Sequence, residues 1–271
     1  MSGSMANSHE QPVLVHAADR ICTLTLNRPA ARNTLSVAMM DALQAELERI
    51  AQGGDISAVI IRAEGPGFCA GHDLKEMQAR RNDPDGGRAF YQDLFAQCTR
   101  LMETIATLPQ PVIAAVQGTA VAAGCQLVAA CDLAIASETA RFGVNGIDAG
   151  FFCSTPMVPL TRNIGRKKAF ELLTTGRLMS AEEAQDSGLV NQVVGGDKLD
   201  AATIALARQI AAKSAAVIAL GKQAFYAQLE MNIGDAYRFG SGVMVENLML
   251  RDCAEGFDAF IGKRKPEWEN R

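Results

Sequence analysis

Strand-sized apolar segments alternate with amphipathic stretches of helical period up to about residue 200, and beyond it only the helical period remains. Between Ile21 and Leu26 apolar and polar residues alternate, and Asn27-Arg28-Pro29 ends the run. Ser36 is placed to cap a helix in which Met40, Leu43, Leu47 and Ile50 recur at spacings of three and four. Residues 58–61 read as a buried strand that turns through 64–67 into a small-residue loop ending at His72. A second unit follows: an amphipathic helix marked by Tyr91, Leu94, Cys98, Leu101 and Ile105, a strand at 111–117, a turn at 118–123, a short helix at 124–130 and a strand at 133–136. Ser180-Ala-Glu-Glu183 has the form of a capping box, with a strand expected at 189–194. The pattern predicts an α/β core over 13–199, a helical region over 200–271, and a disordered or cloning-derived leader over 1–12. Periodicity alone does not separate a doubly wound sheet from stacked ββα units.

Composition narrows the function classes. A net charge of −4, with Lys and Arg scattered until the very end, offers no basic face for a nucleic acid. The apolar runs are strand-sized, well short of the ~20 residues a membrane span needs, so a soluble protein without a membrane partner is expected. No export signal is apparent. Seven cysteines without a Cys-x-x-Cys pair read as reduced, buried thiols, and His9, His16 and His72 are too few and too scattered for a histidine metal cluster, so no metal is expected. Phosphate-loop, nucleophile-elbow and His-Glu-x-x-His motifs are missing, and no histidine is placed to complete a serine or cysteine triad. A dinucleotide fingerprint fails on spacing, because Gly71 comes one residue late after Gly65 and Gly67.

Four segments in order carry a resemblance: Asn27-Arg-Pro-Ala-Ala-Arg-Asn33, Phe68-Cys-Ala-Gly-His-Asp-Leu-Lys-Glu-Met77, Ala115-Val-Gln-Gly-Thr-Ala-Val-Ala-Ala-Gly-Cys-Gln-Leu127 and Ala259-Phe-Ile-Gly-Lys-Arg-Lys265. Together they resemble the crotonase (enoyl-CoA hydratase/isomerase) superfamily from about Val13 to Trp268. The wording Ala-Gly-His-Asp-Leu-Lys-Glu, Phe-Cys-Ser-Thr-Pro and Lys-Arg-Lys-Pro-Glu-Trp is most similar to the branch whose members are called enoyl-CoA hydratase domain-containing proteins. The resemblance implies a spiral of ββα units with a C-terminal helical trimerisation region. It also implies an acyl-CoA thioester as ligand, with coenzyme A present only as part of the substrate and no separate cofactor.

By the same resemblance, the backbone N–H groups of His72 and Ala123 form an oxyanion hole around the thioester oxygen. Physical chemistry agrees at Ala123, since free N–H groups and the helix dipole at a helix start favour a developing enolate. The His72 imidazole, with an ordinary pKa near 6.5, is a second candidate at the site, as a base. The main chain is the role that the resemblance favours.

At two positions the sequence departs from the hydratases of this superfamily, which the resemblance would give two glutamates to move protons between water and the α-carbon. Gln126 stands at the first position and cannot take a proton from water; Gly146 stands at the second, four residues after Phe142. An aspartate used by isomerase and dehalogenase branches would fall at Ser154. Asp148 is the one acid nearby, and Cys153 and Ser154 are pocket residues without an adjacent base.

The nucleotide half of coenzyme A is expected along Ala30, Arg32, Ala70, Asp73 and Leu74, closed over by C-terminal basic residues such as Lys263 of a neighbouring subunit. A homotrimer or dimer of trimers is implied, in the cytoplasm of a bacterium or the mitochondrial matrix for a eukaryotic relative. The leading expectation is an acyl-CoA-binding protein of fatty-acid metabolism that stabilises a thioester enolate with an atypical acid–base site. The alternatives are a non-catalytic acyl-CoA binder and a thioesterase using water held by Gln126.

Overall fold

The computed structural model describes residues 11–271. The expected leader over 1–12 therefore lies almost wholly outside the described residues, and its last two, Gln11 and Pro12, are held by hydrogen bonds from Asn27 to their carbonyls. A six-stranded sheet in the order β1-β2-β3-β4-β6-β9 forms the centre of the molecule. Its strands are β1 (Val13–Ala18), β2 (Ile21–Leu26), β3 (Ala58–Ala63), β4 (Val112–Val116), β6 (Leu133–Ser137) and β9 (Gln192–Val194). β1 and β2 form an antiparallel pair; all later neighbours are parallel.

Alternation along β3 and β4 divides the core in two. Val59, Ile61, Val112, Ala114 and Val116 face the larger cluster with α1 (Val37–Gln52) and α3 (Arg88–Thr107). Ala58, Ile60, Ile113 and Ala115 face the opposite way, under Leu199 and Ala207 of α8 (Leu199–Ala211). The expected boundary at residue 199 thus falls at the start of a helix that belongs to the core layer. Met40, Leu43, Leu47 and Ile50 of α1 are all buried, each worth about 2 kcal/mol of transfer free energy.

Helix starts follow their chemistry. Ser36 Oγ accepts from Met39 N at 3.2 Å, and Glu76 of α2 (Leu74–Ala79) reaches across to accept from Val37 N at 3.1 Å. Glu76 is thus a cap on another helix and not simply part of a solvated face. Ser180 caps α7 (Ala181–Ser187), but its capping box is only half formed: the Glu183 carboxylate turns to Arg177 and Lys168 instead of back to the Ser180 N–H.

A second, three-stranded sheet holds β5 (Thr119–Val121), β7 (Arg141–Gly143) and β8 (Met179–Ser180). The middle half of the turn expected at 118–123 is therefore a strand, and the strand expected at 189–194 shrinks to its last three residues, with Leu189 and Val190 buried ahead of it. Between these strands lie α4 (Ala123–Ala130), α5 (Met157–Asn163) and α6 (Arg166–Thr175).

The chain ends in α9 (Ala215–Leu229), α10 (Ile233–Met249) and α11 (Arg251–Ile261). Lys222 of α9 is buried and donates to Asp132 Oδ2 at 2.6 Å and to the carbonyls of Ile105 and Gln110, while Tyr226 OH donates to Asp132 Oδ1 at 2.8 Å. That cluster pins the helical region to the end of α4. No single helix among the described residues is long and apolar enough to cross a membrane, and no group of His, Cys, Asp or Glu there could hold a metal ion.

Candidate active site

Two loops that leave adjacent parallel strands, β3 and β4, run together at the carboxyl end of the sheet. The carbonyl of Thr119 accepts from both Phe68 N and Cys69 N, at 3.0 and 3.1 Å, and Val121 N donates to Cys69 O at 3.0 Å. A third segment joins them: Leu35 N donates to Gly71 O at 2.8 Å, and Ala70 N to Arg32 O at 3.1 Å. Buried Asn33 ties the set together, its Nδ2 donating to the carbonyls of Glu64 and Gly67 and its Oδ1 accepting from Arg28 N.

At the meeting point the backbone needs glycine. Gly71 has φ +89°, and a Cβ there would lie 2.9 Å from the Ala122 methyl and 3.2 Å from Ala123 N. The peptide that carries the His72 N–H is therefore packed directly against the start of α4. Ala122, at φ 49° and ψ −121°, holds a backbone conformation rare for a residue with a side chain. Its own N–H is satisfied by Gly143 O at 2.9 Å, and the strained peptide turns the chain abruptly into α4. Neither His72 N nor Ala123 N donates to an acceptor among the described residues. Two such donors beside a helix start are the chemistry that can stabilise a developing oxyanion.

Around this point lie the two positions, 126 and 146, at which the sequence reading found no carboxylate. Gln126 is buried one turn into α4, and its Oε1 accepts from the Cys98 thiol at 3.9 Å. Gly146 is buried in a short 3-10 turn at Asn145–Ala149, where its N–H donates to Cys153 Sγ at 3.3 Å. A Cβ on Gly146 would lie 2.5 Å from the Phe151 ring and 2.8 Å from that sulfur. The volume that a carboxylate side chain would need is occupied by Phe151 and Cys153. Burial pushes the Cys153 thiol up, so it rests as a neutral acceptor and not as a thiolate.

Asp148 and Ser154 do not share this enclosed setting. Asp148 is exposed, with its carboxylate over Gly176 at the C-terminus of α6; Ser154 is exposed, and its hydroxyl donates to Phe152 O at 3.3 Å. The His72 imidazole is packed edge-on to Phe95 at 5.6 Å, with Nδ1 3.2 Å from Leu35 O. Burial lowers its pKa, which keeps the ring neutral near pH 7.

Of the residues expected along the nucleotide, Ala30 and Arg32 are exposed beside a surface depression lined by Asn27, Pro29, Ala31 and Gly65. Asp73 caps α2, its Oδ1 accepting from Lys75 N at 2.8 Å; Leu74 is half exposed next to it, and Ala70 is the residue bonded to Arg32. Lys263 is exposed just beyond α11. The sequence reading missed Phe151 and Phe95; the Phe151-Phe152 pair after a glycine was the signal for the first, whereas nothing in the α3 pattern singled out the second.

Comparison with known proteins gives the family. Residues 16–271 match the family described as enoyl-CoA hydratase/isomerase. The chain belongs to that family. It is 44% identical over 263 residues to human enoyl-CoA hydratase domain-containing protein 3, mitochondrial, covering 97% of this chain and 85% of the human one. The crystal structure of human enoyl-CoA hydratase domain-containing protein 3 superposes with a TM-score of 0.91 at 46% identity, covering 95% of this chain and all of that one. A Mycobacterium smegmatis enoyl-CoA hydratase structure also gives 0.91, at 49% identity, covering 96% of this chain and 99% of that one. The crotonase α/β fold and its C-terminal helices are common to these family members.

Proposed function

We propose that the protein binds an acyl-CoA thioester with its carbonyl oxygen between the N–H groups of His72 and Ala123, and that its activity is enolate stabilisation without the paired glutamates of ordinary hydratases. The observation that carries this reading is the close approach of Gly71 to Ala123 N, where a Cβ would lie at 3.2 Å, next to two N–H donors without acceptors among the described residues. A pair of fixed donors lowers the energy of charge on oxygen more in the enolate than in the thioester, and each is worth about 3 kcal/mol of transition-state stabilisation. Gln126 can hold a water but not deprotonate it, and Gly146 offers no group at all. Rapid hydration of crotonyl-CoA is therefore not expected.

The test is a mass-spectrometric turnover assay with saturated, 2-enoyl and 3-enoyl-CoA thioesters, paired with calorimetric binding of the same esters. Binding of all three with little or no hydration of the 2-enoyl ester is expected. Failure to bind any of them, or hydration at the pace of a glutamate-bearing hydratase, would overturn the reading.

The helices α9 to α11 complete the proposal. Ile233, Met249, Phe260 and Ile261 are each more than three-quarters exposed on a single chain, an apolar surface that fits a homotrimer or dimer of trimers with Lys263 offered to a neighbouring site. Sedimentation at micromolar concentration would refute this by finding a monomer.

A further inference from the structure

The segment that follows β7 packs onto the start of α4, beside the donor at Ala123. Gly143 O accepts from Ala122 N at 2.9 Å, and the Cys153 thiol lies near enough to bear on Cys125, the third residue of α4. Within the segment, Gly146 N donates to Cys153 Sγ at 3.3 Å, and Phe151 N donates to Gly146 O at 3.1 Å. The Phe151 ring is thereby held over Gly146 by its own main chain as well as by packing.

This segment spends its polar groups on itself. Besides those two bonds, Gly150 N donates to Ile147 O at 3.1 Å and Ser154 Oγ to Phe152 O at 3.3 Å. The Asp148 carboxylate lies over Gly176, and burial keeps the Cys153 thiol neutral. What the segment leaves open is apolar: Ile147 is 39% exposed, Phe151 41% and Phe152 38%. On α4, Gln126 is buried, with its Oε1 already accepting from the Cys98 thiol. Exposed apolar side chains on a fixed turn, next to donors that suit an oxygen, make a surface for hydrocarbon. A hydroxyl laid on that surface loses its water and gains no partner.

We propose that Phe151 is a specificity-determining residue of this site, its exposed face meeting the first carbons of the acyl group, so that the site selects CoA esters that are hydrocarbon at the β-carbon over 3-hydroxyacyl esters. The proposal rests on the acyl-CoA reading above and deepens it. With the thioester oxygen between the N–H groups of His72 and Ala123, the β-carbon is two bonds beyond the carbonyl carbon and falls beside the segment that packs on the start of α4. Saturated and unsaturated acyl groups both satisfy the surface. The selection is made in binding, and no bond forms or breaks in it.

Calorimetry of butyryl-CoA, crotonyl-CoA and both enantiomers of 3-hydroxybutyryl-CoA tests this on the wild-type protein, with coenzyme A itself as reference ligand. Both 3-hydroxy esters are expected to bind at least ~10-fold more weakly than butyryl-CoA. Two variants follow. Phe151→Leu keeps an apolar side chain and should hold the ratio to within about twofold, whereas Phe151→Gln keeps the bulk, offers a donor and an acceptor, and should bring it below about threefold. Coenzyme A should bind alike to all three proteins. Equal affinity of the wild type for the hydroxy and plain esters overturns the proposal without any variant. An unchanged ratio in Phe151→Gln overturns it too, and if sedimentation of that variant shows a lower association state, the ring belongs to a subunit contact instead. Failure of the wild type to bind any of the esters removes the acyl-CoA reading itself, a result distinct from binding without selection.

Discussion

The ring of Phe151 stands where a side chain on Gly146 would have to be, its Cε2 2.5 Å from the position of a Cβ there. Cys153 closes the same space from another side, its sulfur accepting the Gly146 N–H at 3.3 Å. The space beside Gly146 is thus taken by the partly exposed Phe151 ring and the buried Cys153. Restoring both carboxylates as Gln126→Glu with Gly146→Glu should not give crotonyl-CoA hydration, and overpacking should cost about 1–3 kcal/mol in denaturant unfolding. Adding Phe151→Ala should recover most of that stability and raise hydration. Rapid hydration by the double variant alone would show that this packing yields easily.

Gly71→Ala tests the cradle from its other side. The left-handed φ of +89° and the 2.9 Å approach to the Ala122 methyl both oppose a Cβ. Strain of about 1–3 kcal/mol is expected in thermal unfolding, with displacement of the His72 N–H lowering turnover of any thioester by about 100-fold or more. A variant as stable and as active as the wild type would contradict the cradle geometry.

Lys222→Met tests what pins the helical region. The change leaves the Asp132 carboxylate with only Tyr226 OH and Val112 N as donors among the described residues, in a largely buried place. Breaking a buried pair from one side costs about 3–5 kcal/mol, and the second change Asp132→Asn, which removes the unpaired charge and keeps an acceptor for Val112 N, should return part of the loss. Chemical unfolding of the two variants measures both steps. Equal stability of the single variant and the wild type would mean that the cluster contributes nothing.

Acid should act in part through Glu183. The Arg177 guanidinium, followed by Lys168, holds its carboxyl down at about 2. A carboxyl lowered in the folded state binds fewer protons there than in the unfolded chain. Its contribution is therefore fully present above the ordinary carboxylate range and is lost as pH falls toward about 2. With solvent screening the part that belongs to this group is about 1 kcal/mol. Glu183→Gln should be less stable than the wild type at neutral pH, and the gap should close between about pH 4.5 and pH 2. A gap independent of pH would contradict the assignment.

Much of this was legible in the chain because the signals are local. Period-two alternation marks β2, the Ser36 and Ser180 caps mark two helix starts, and the glycines of the two cradle loops sit at fixed offsets from the strands before them. What was not legible depends on distant residues meeting. Strands of two or three residues, such as β5 and β8, are too short to show a period, and Leu189 and Val190 are apolar because they are buried, not because they are extended. Glu76 looks like any helix-face glutamate until the fold brings Val37 N to it, and Gly146 looks like an empty site until Phe151 is found in it. Lys222 sat in an apolar helical run, a signal of burial with partners that sequence could have given.

The central claim is that the thioester oxygen sits between the N–H groups of His72 and Ala123, and the vibration of that carbonyl reports it directly. Isotope-edited infrared difference spectra of butyryl-CoA labelled with 13C at the carbonyl should show the band move to lower frequency on binding, and the shift should shrink in Gly71→Ala. A bound ester whose carbonyl absorbs at its frequency in water would contradict the account.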